Sequence, residues 1–317
     1  MARLDGTDLD LFPLCLGTNV FGWTADRDDA FAVLDAYVAA GGNVLDTADS
    51  YSNWVPGNPP GLSETIIGEW MAARGARDRV LVATKAGREG GLGATAIREK
   101  AEASLRRLQT DRIDLYYAHY DDPDTPLEET LGAFDALVRE GKVRYVAASN
   151  YSAPRLAEAL AVSEREGLTS YVGLQTHYSL VERERYEGEL RDVVARRDLG
   201  CLPYYALARG FLTGKYRPED GAAAAGGATG SPRAEGARAY LAEPRGPRVL
   251  AALDEIAAAH GTTVAAVALA WLVAQPTVAS AIASARNPEQ LADLLPVAEL
   301  QLTDDEVARL SAASEEA

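Results

Sequence analysis

Short apolar segments recur along the chain at intervals of about 30 residues, and each is followed by a turn and a helical pattern. Most are continuous apolar runs, which is typical of parallel strands covered on both faces. The eight candidate strands are LCLG (14–17), NVLD (43–46), VLVATK (80–85), IDLYYAH (113–119), VRYVAAS (143–149), YVGLQ (171–175), CLPYY (201–205) and VASAIA (278–283). Eight strand–helix units without a break in composition predict an α/β fold, a closed (β/α)8 TIM barrel that forms one domain over residues 1–317.

Two segments stand outside this repeat. The opening RLDGTDLDL (3–11) predicts a short N-terminal hairpin before the first barrel strand. A long loop follows strand 7, from residue 206 to about residue 247, and contains the Gly- and Ala-rich stretch 221–230. Loops of this length in a compact domain are either functional lids or insertions without a role, and composition does not separate the two.

Charge and cysteine content exclude several classes of protein. The net charge of −16 argues against a non-specific nucleic-acid binder and against attachment to an anionic membrane. Cys15 and Cys201 are far apart, so we expect buried thiols with neither a disulfide nor a metal. The N-terminus has no apolar leader, and the apolar run 264–274 is too short to cross a membrane. We therefore predict a cytoplasmic protein without a metal; its oligomeric state stays open.

Polar or ionisable residues end most of the predicted strands. In α/β barrels these ends surround one mouth, where catalytic groups lie. Taken singly, such residues can be turn residues, surface lysines or packed barrel histidines, but a ring of them favours a shared site. The ring comprises Asp46, Lys85, His119, Ser149, Asn150, Gln175 and Tyr204.

Tyr51 follows Asp46 by five residues and completes a chemically sensible set. A tyrosine hydroxyl has a pKa near ~10, and a neighbouring ammonium such as that of Lys85 is expected to lower this pKa. A buried ammonium in turn needs a carboxylate partner, which Asp46 supplies. With His119 donating a hydrogen bond to a substrate carbonyl oxygen, the set predicts protonation of that oxygen while a hydride reaches the carbon.

Several motifs in order resemble those of the aldo-keto reductases, and the match covers nearly the whole chain. They are LGTNVFG, GGNVLDTADSY, VLVATK, IDLYYAH, GKVRYVAASNYS, LARGFLTGKY and the ARNPEQL region. The resemblance implies a catalytic tetrad of Asp46, Tyr51, Lys85 and His119. It also implies NADPH-dependent reduction of an aldehyde or ketone, a sugar or aryl carbonyl among them, to the alcohol.

The resemblance further implies how the cofactor, NADP(H) with NAD(H) as the alternative, would be bound. Ser149, Asn150 and Gln175 would hold the carboxamide, and Tyr204 would stack on the nicotinamide. Arg286 favours NADPH because a guanidinium binds phosphate bidentately. The full predicted cofactor set is Thr18, Asn19, Asp46, Ser149, Asn150, Gln175, Tyr204, Leu207, Gly210, Lys215, Ser284, Arg286, Gln290 and Asp293. Residues 221–230 are expected to form a lid that orders over the cofactor.

The chain departs from the family pattern near this predicted cofactor site. Tyr205-Ala206 stands in place of the usual Ser-Pro, Leu294 in place of an Asn, and Ala283 in place of a common proline. The loss of the Asn removes an adenine contact, so a lower cofactor affinity is one expected consequence.

Trp23, Trp54 and Tyr120 are the expected walls of the pocket for a small-molecule carbonyl substrate. Two other functions stay open. One is a Schiff-base aldolase that uses Lys85. The other is a regulatory subunit that binds the cofactor with little turnover, since the family includes cofactor-binding partners of potassium channels.

Overall fold

Eight parallel strands form one curled sheet in the computed structural model, which describes residues 2–217 and 232–315. The strands are β3 (Leu14–Gly17), β4 (Val44–Asp46), β5 (Leu81–Ala86), β6 (Ile113–Ala118), β7 (Val143–Ser149), β8 (Tyr171–Gln175), β9 (Gly200–Cys201) and β10 (Ala281–Ala283). Their order across the sheet is β10-β3-β4-β5-β6-β7-β8-β9. Nearly all of their residues are buried, which explains why the strands read as continuous apolar runs.

The edges of this sheet meet through a few backbone hydrogen bonds. Cys201 N–H donates to Thr277 O at 2.7 Å, and Ala279 N–H donates to Cys201 O at 2.9 Å. Ile282 N–H donates to Pro203 O at 2.9 Å. The predicted (β/α)8 fold is confirmed, although the seventh and eighth strands of the barrel, β9 and β10, are shorter than predicted. Pro203 has no N–H to give to a strand ladder, which accounts for the early end of β9.

The N-terminal hairpin is also present. β1 (Ala2–Arg3) pairs antiparallel with β2 (Asp10–Leu11). The buried Leu4, Leu9 and Leu11 pack with the side chains that fill the barrel interior, so the hairpin closes the end of the barrel where the strands begin.

Helices cover the outside of the sheet. They are α1 (Arg27–Ala39), α2 (Leu62–Arg74), α3 (Ala94–Leu108), α4 (Leu127–Arg139), α5 (Ala153–Glu166), α6 (Glu189–Arg196), α7 (Ala234–Arg238), α8 (Arg245–His260), α9 (Val264–Val273), α10 (Pro288–Ala292) and α11 (Asp304–Ala313). The apolar run at 264–274 forms α9, which is almost wholly buried. Within residues 2–217 and 232–315, no single helix is long and apolar enough to cross a membrane; only α8 and α9 together reach that length, across a bend of 98°.

The two cysteines are buried and unpaired, as predicted. Of the long loop after strand 7, residues 218–231 lie outside the described part of the chain, so the predicted lid at 221–230 stays a prediction. The remaining part of that loop includes a short 3-10 helix, Ala208–Thr213, and α7.

Candidate active site

The polar residues at the strand ends do meet at one mouth of the barrel. Strand register places Asp46 beside Gly17 and Ala83. Ser149 pairs directly with Gln175 across β7 and β8. Because all the strands are parallel, their carboxyl ends share one side of the sheet, and the side chains that follow them converge there.

Tyr51 reaches this mouth from the turn that follows β4. Tyr51 N–H donates to Ala48 O at 3.2 Å, which closes the turn. The next residue, Ser52, has a positive φ of 69°, a backbone conformation that is unfavourable for residues other than glycine. The buried Ser52 hydroxyl donates to Phe21 O at 2.6 Å, and this hydrogen bond offsets the strain.

Asp46, Lys85 and Tyr51 form a hydrogen-bonded chain. Lys85 Nζ lies 2.8 Å from Asp46 Oδ2 and 2.9 Å from Tyr51 Oη. It also donates to Thr47 O at 2.7 Å, so all three ammonium protons have acceptors. The Lys85 side chain is 0% exposed and that of Asp46 is 3% exposed. A charge pair this deeply buried persists only with such full hydrogen bonding.

The sequence-based prediction that Lys85 lowers the pKa of Tyr51 is wrong in direction. Burial and the Asp46 carboxylate, 3.3 Å from the Tyr51 hydroxyl, raise the pKa of Tyr51 well above its ordinary value. The prediction considered the positive charge of Lys85 but not the burial of the Tyr51 hydroxyl, which disfavours the charged phenolate. As a consequence, Tyr51 keeps its proton at any physiological pH, which suits a proton donor.

His119 stands beside Tyr51, with ring centroids 6.3 Å apart. Burial, aided by the positive charges of Lys85 and Arg88, lowers the pKa of His119 to about 2. The imidazole is therefore neutral, with one N–H to donate. Its Nδ1 atom is buried without a hydrogen-bond partner among the described residues. A buried polar atom in this state marks a position where a ligand or water is expected to bind.

The low pKa of His119 predicts a dependence of stability on pH. Below about pH 6.5, the ordinary pKa of histidine, the unfolded chain binds a proton at His119 that the folded protein does not bind. The free energy of unfolding should therefore fall by roughly 1 kcal/mol from this group between pH 6.5 and pH 5.5. Urea unfolding of the wild type and of His119→Gln at both pH values measures the difference. Equal pH slopes for the two proteins would contradict a neutral buried His119.

Three further side chains are tied to this centre. Gln175 donates from Nε2 to Asp46 Oδ1 at 2.7 Å. Asn150 donates from Nδ2 to His119 O at 2.9 Å and accepts from the Tyr204 hydroxyl at 2.8 Å. The sequence predicted Asn150 and Gln175 for the cofactor carboxamide and Tyr204 for stacking on the nicotinamide. It did not predict their hydrogen bonds to Asp46, to the backbone of His119 and between Asn150 and Tyr204.

A cavity of about 780 Å³ opens above these groups. Of the predicted cofactor set, every residue except Thr18 lines it, as do Trp23, Trp54 and Tyr120. Thr18 lies beneath the cavity instead: it is fully buried, and its hydroxyl donates to Asp46 O at 2.8 Å. The prediction that Thr18 contacts the cofactor does not agree with this position, because its side chain binds the backbone at the end of β4 and does not line the cavity.

The cavity is positively charged although the protein is acidic. Five arginine or lysine side chains line it, against two aspartates. The five are Arg88, Arg209, Lys215, Arg233 and Arg286, of which sequence reasoning missed Arg88, Arg209 and Arg233. Arg88 stands three residues after Lys85 at the same strand exit, a signal that was available. Arg233 follows the Gly- and Ala-rich stretch, where the sequence carries no such signal.

Comparison with known proteins agrees with this arrangement. The model of the Aldo/keto reductase family matches residues 13–315. The chain belongs to this family. It is therefore an oxidoreductase of a family that generally uses a nicotinamide cofactor, NAD(P)H.

Three relatives cover nearly the whole chain. One is "Uncharacterized oxidoreductase YrpG" of Bacillus subtilis, 36% identical over 97% of this chain and 93% of its own length. "Protein tas" of Escherichia coli is 33% identical over 98% of this chain and 96% of its own length. "Norsolorinic acid reductase B" of Aspergillus parasiticus is 32% identical over 93% of this chain and 78% of its own length.

The geometry of Lys85 opposes the aldolase alternative. A Schiff-base lysine needs a neutral amine that is open to the substrate. Lys85 is fully buried, paired with Asp46 and absent from the cavity lining.

Proposed function

We propose that this aldo-keto reductase reduces an aldehyde or ketone to the alcohol, with NADPH as the hydride donor and Tyr51 as the proton donor. The observation that carries the proposal is the buried Asp46–Lys85–Tyr51 chain, which ends at the cavity beside a neutral His119. Such a set suits protonation of a carbonyl oxygen and has no evident use in a protein that only binds a ligand.

The lining of the cavity fits a dinucleotide. Lys215 lies close enough to Arg286 and Arg233 to interact with their charges. Burial is the largest cause that lowers the pKa of Lys215, and these two positive charges lower it further. A cluster of like charges of this kind is stabilised by bound phosphate. One face of Tyr204 is covered by the ring of His177, with centroids 5.5 Å apart and the planes 18° from parallel. Tyr204 also lines the cavity, where in this proposal its ring stacks on the nicotinamide.

The residues of the chain divide the chemistry among them. NADPH, when bound, supplies the hydride. The N–H of His119 orients the carbonyl oxygen toward Tyr51, which releases its proton to that oxygen. The Lys85 ammonium, 2.9 Å from the Tyr51 hydroxyl, stabilises the phenolate that develops, and Asp46 holds Lys85 in place.

Arg286 sets the preference for NADPH over NADH in this proposal. Arg286→Ala should weaken NADPH binding by about tenfold or more, because a charge-assisted hydrogen bond to the 2′-phosphate is lost. NADH binding should change little, since NADH lacks this phosphate. Titration of each cofactor by nicotinamide fluorescence measures both, with Arg286→Lys as the variant that keeps the charge. Equal losses of affinity for the two cofactors would show that Arg286 does not bind the 2′-phosphate.

The same titration of the wild type, followed by a panel of aldehydes and ketones, tests the proposed function itself. Tight NADPH binding with turnover is the expected result. Binding with no turnover on any carbonyl compound would favour the regulatory subunit, and no binding would contradict the proposal. In the last case, Tyr205 and Leu294, which both line the cavity, are the first residues to replace.

A further inference from the structure

Arg88 is a cation at the cavity mouth for which the proposed reaction has no role. It lies in the loop between β5 and α3, exposed to solvent, and lines the cavity. Its guanidinium carbon is 5.9 Å from the centre of the Tyr120 ring. Tyr120 in turn stacks on His119, with centroids 5.1 Å apart. Arg88 is therefore separated from the catalytic histidine by a single aromatic ring.

The carboxylates of the Arg88 loop and of the loop after the neighbouring strand β6 have other partners. Asp121 is paired with Arg155 at 2.9 Å. Asp122 accepts from Leu92 N–H and from the Thr125 hydroxyl, both at 2.7 Å. Glu89, next to Arg88 in sequence, accepts from Asn53 at 3.1 Å. Within the described residues, no carboxylate lies at salt-bridge distance from Arg88, although the protein carries 47 acidic residues.

Of the other cavity cations, Arg233 lies over the Trp23 ring, with its guanidinium carbon 5.3 Å from the ring centre. Lys215 and Arg286 belong to a different part of the site. Lys215 and Arg286 are close enough to each other for Arg286 to lower the pKa of Lys215. Lys215 follows β9, and Arg286 follows β10. Arg88 follows β5 and contributes instead to the low pKa of His119. A dinucleotide bound along Lys215 and Arg286 would thus leave the charge of Arg88 at the substrate end of the cavity.

We infer that the carbonyl substrate carries a carboxylate or a similar anionic group, and that Arg88 binds this group at the mouth of the cavity. The inference rests on the reductase function proposed above. The aromatic walls Trp23, Trp54 and Tyr120 lie beside the site, with Trp23 and Trp54 packed edge to face at 5.6 Å. The anion is separated from the reacting carbonyl by about one aromatic ring, so an aldehyde with a carboxylate at its far end fits the site. Arg88 is a specificity residue and takes no part in proton transfer.

Two matched aldehydes test this inference. 4-Carboxybenzaldehyde carries the anion, and methyl 4-formylbenzoate has the same ring and carbonyl but no charge. Arg88→Gln should lower kcat/KM for the acid by about tenfold, mainly through KM, and leave that for the ester within about twofold. Arg88→Lys should recover part of the loss because it keeps the charge. Arg79→Gln, which removes an exposed arginine from the turn before β5 at the other end of the barrel, should leave both substrates unaffected.

A binding measurement separates recognition from turnover. Benzoate is not reduced, and its binding to the NADP⁺-loaded protein can be followed through tryptophan fluorescence. The wild type should bind benzoate more tightly than benzamide, and Arg88→Gln should lose this preference. If both aldehydes are reduced and Arg88→Gln leaves their ratio unchanged, the inference about Arg88 is wrong and the reductase function stands. If neither aldehyde nor any other carbonyl compound is reduced, the reductase function fails and this inference with it.

Discussion

Tyr51→Phe should lower kcat for carbonyl reduction by about 10³-fold while NADPH binds as tightly as to the wild type. Phenylalanine keeps the ring against Trp54 and His119 but removes the proton that the substrate oxygen needs. The hydroxyl is also one of the three acceptors of Lys85, and the other two, Asp46 and Thr47 O, stay in place. The loss should therefore appear in the chemical step and leave cofactor affinity and folding nearly unchanged.

A matched control for this variant is Tyr116→Phe. Tyr116 is fully buried on β6, outside the cavity lining, and its hydroxyl has no hydrogen-bond partner among the described residues. Its removal should leave kcat unchanged. Steady-state kinetics with a saturating aldehyde, together with NADPH fluorescence titration, measures both variants. If Tyr51→Phe kept more than about a tenth of wild-type kcat, the assignment of Tyr51 as the acid would be wrong.

Lys85→Met should abolish most activity and also destabilise the fold. It leaves the Asp46 carboxylate buried without its cation, which typically costs about 3 kcal/mol or more of unfolding free energy. Hydrogen bonds from Gln175 and Tyr51 remain to Asp46, so the protein should still fold. The double variant Lys85→Met/Asp46→Asn should recover much of the lost stability, because no buried charge is then left alone.

Urea unfolding of the two single variants and the double variant forms a double-mutant cycle. Activity should stay low in all three proteins, since none keeps the ammonium beside Tyr51 with its partner. Lys142→Met serves as the surface comparison: Lys142 is paired with Glu140 and Glu102 but is partly exposed, and its replacement should change the unfolding midpoint little. Equal unfolding midpoints for Lys85→Met and the wild type would show that the pair is not buried as described.

Sequence patterns predicted the fold and most of the site for identifiable reasons. Parallel strands covered on both faces are mainly apolar, so their ends were visible as polar residues that follow an apolar run, Asp46 and His119 among them. Because parallel strands end on one side of the sheet, identifying the strand ends was enough to predict that these residues lie close together.

What the sequence did not predict depends on packing across the fold. The position of Thr18 beneath the cavity follows from its contacts with Asp46 and Ser63, 28 and 45 residues away. The raised pKa of Tyr51 follows from burial, which a motif does not report. Arg209 and Arg233 enter the cavity through loop conformations: Arg209 itself has a φ of 60°, and local sequence patterns did not reveal it.

A single-turnover experiment tests the central claim most directly. Protein loaded with NADPH is mixed with an excess of aldehyde, and the nicotinamide absorbance is followed in the wild type and in Tyr51→Phe. The account predicts rapid loss of the absorbance in the wild type and a rate about 10³-fold lower in the variant, with equal amounts of NADPH bound at the start. Equal rates in the two proteins, or no loss of absorbance in the wild type with any aldehyde, would contradict it.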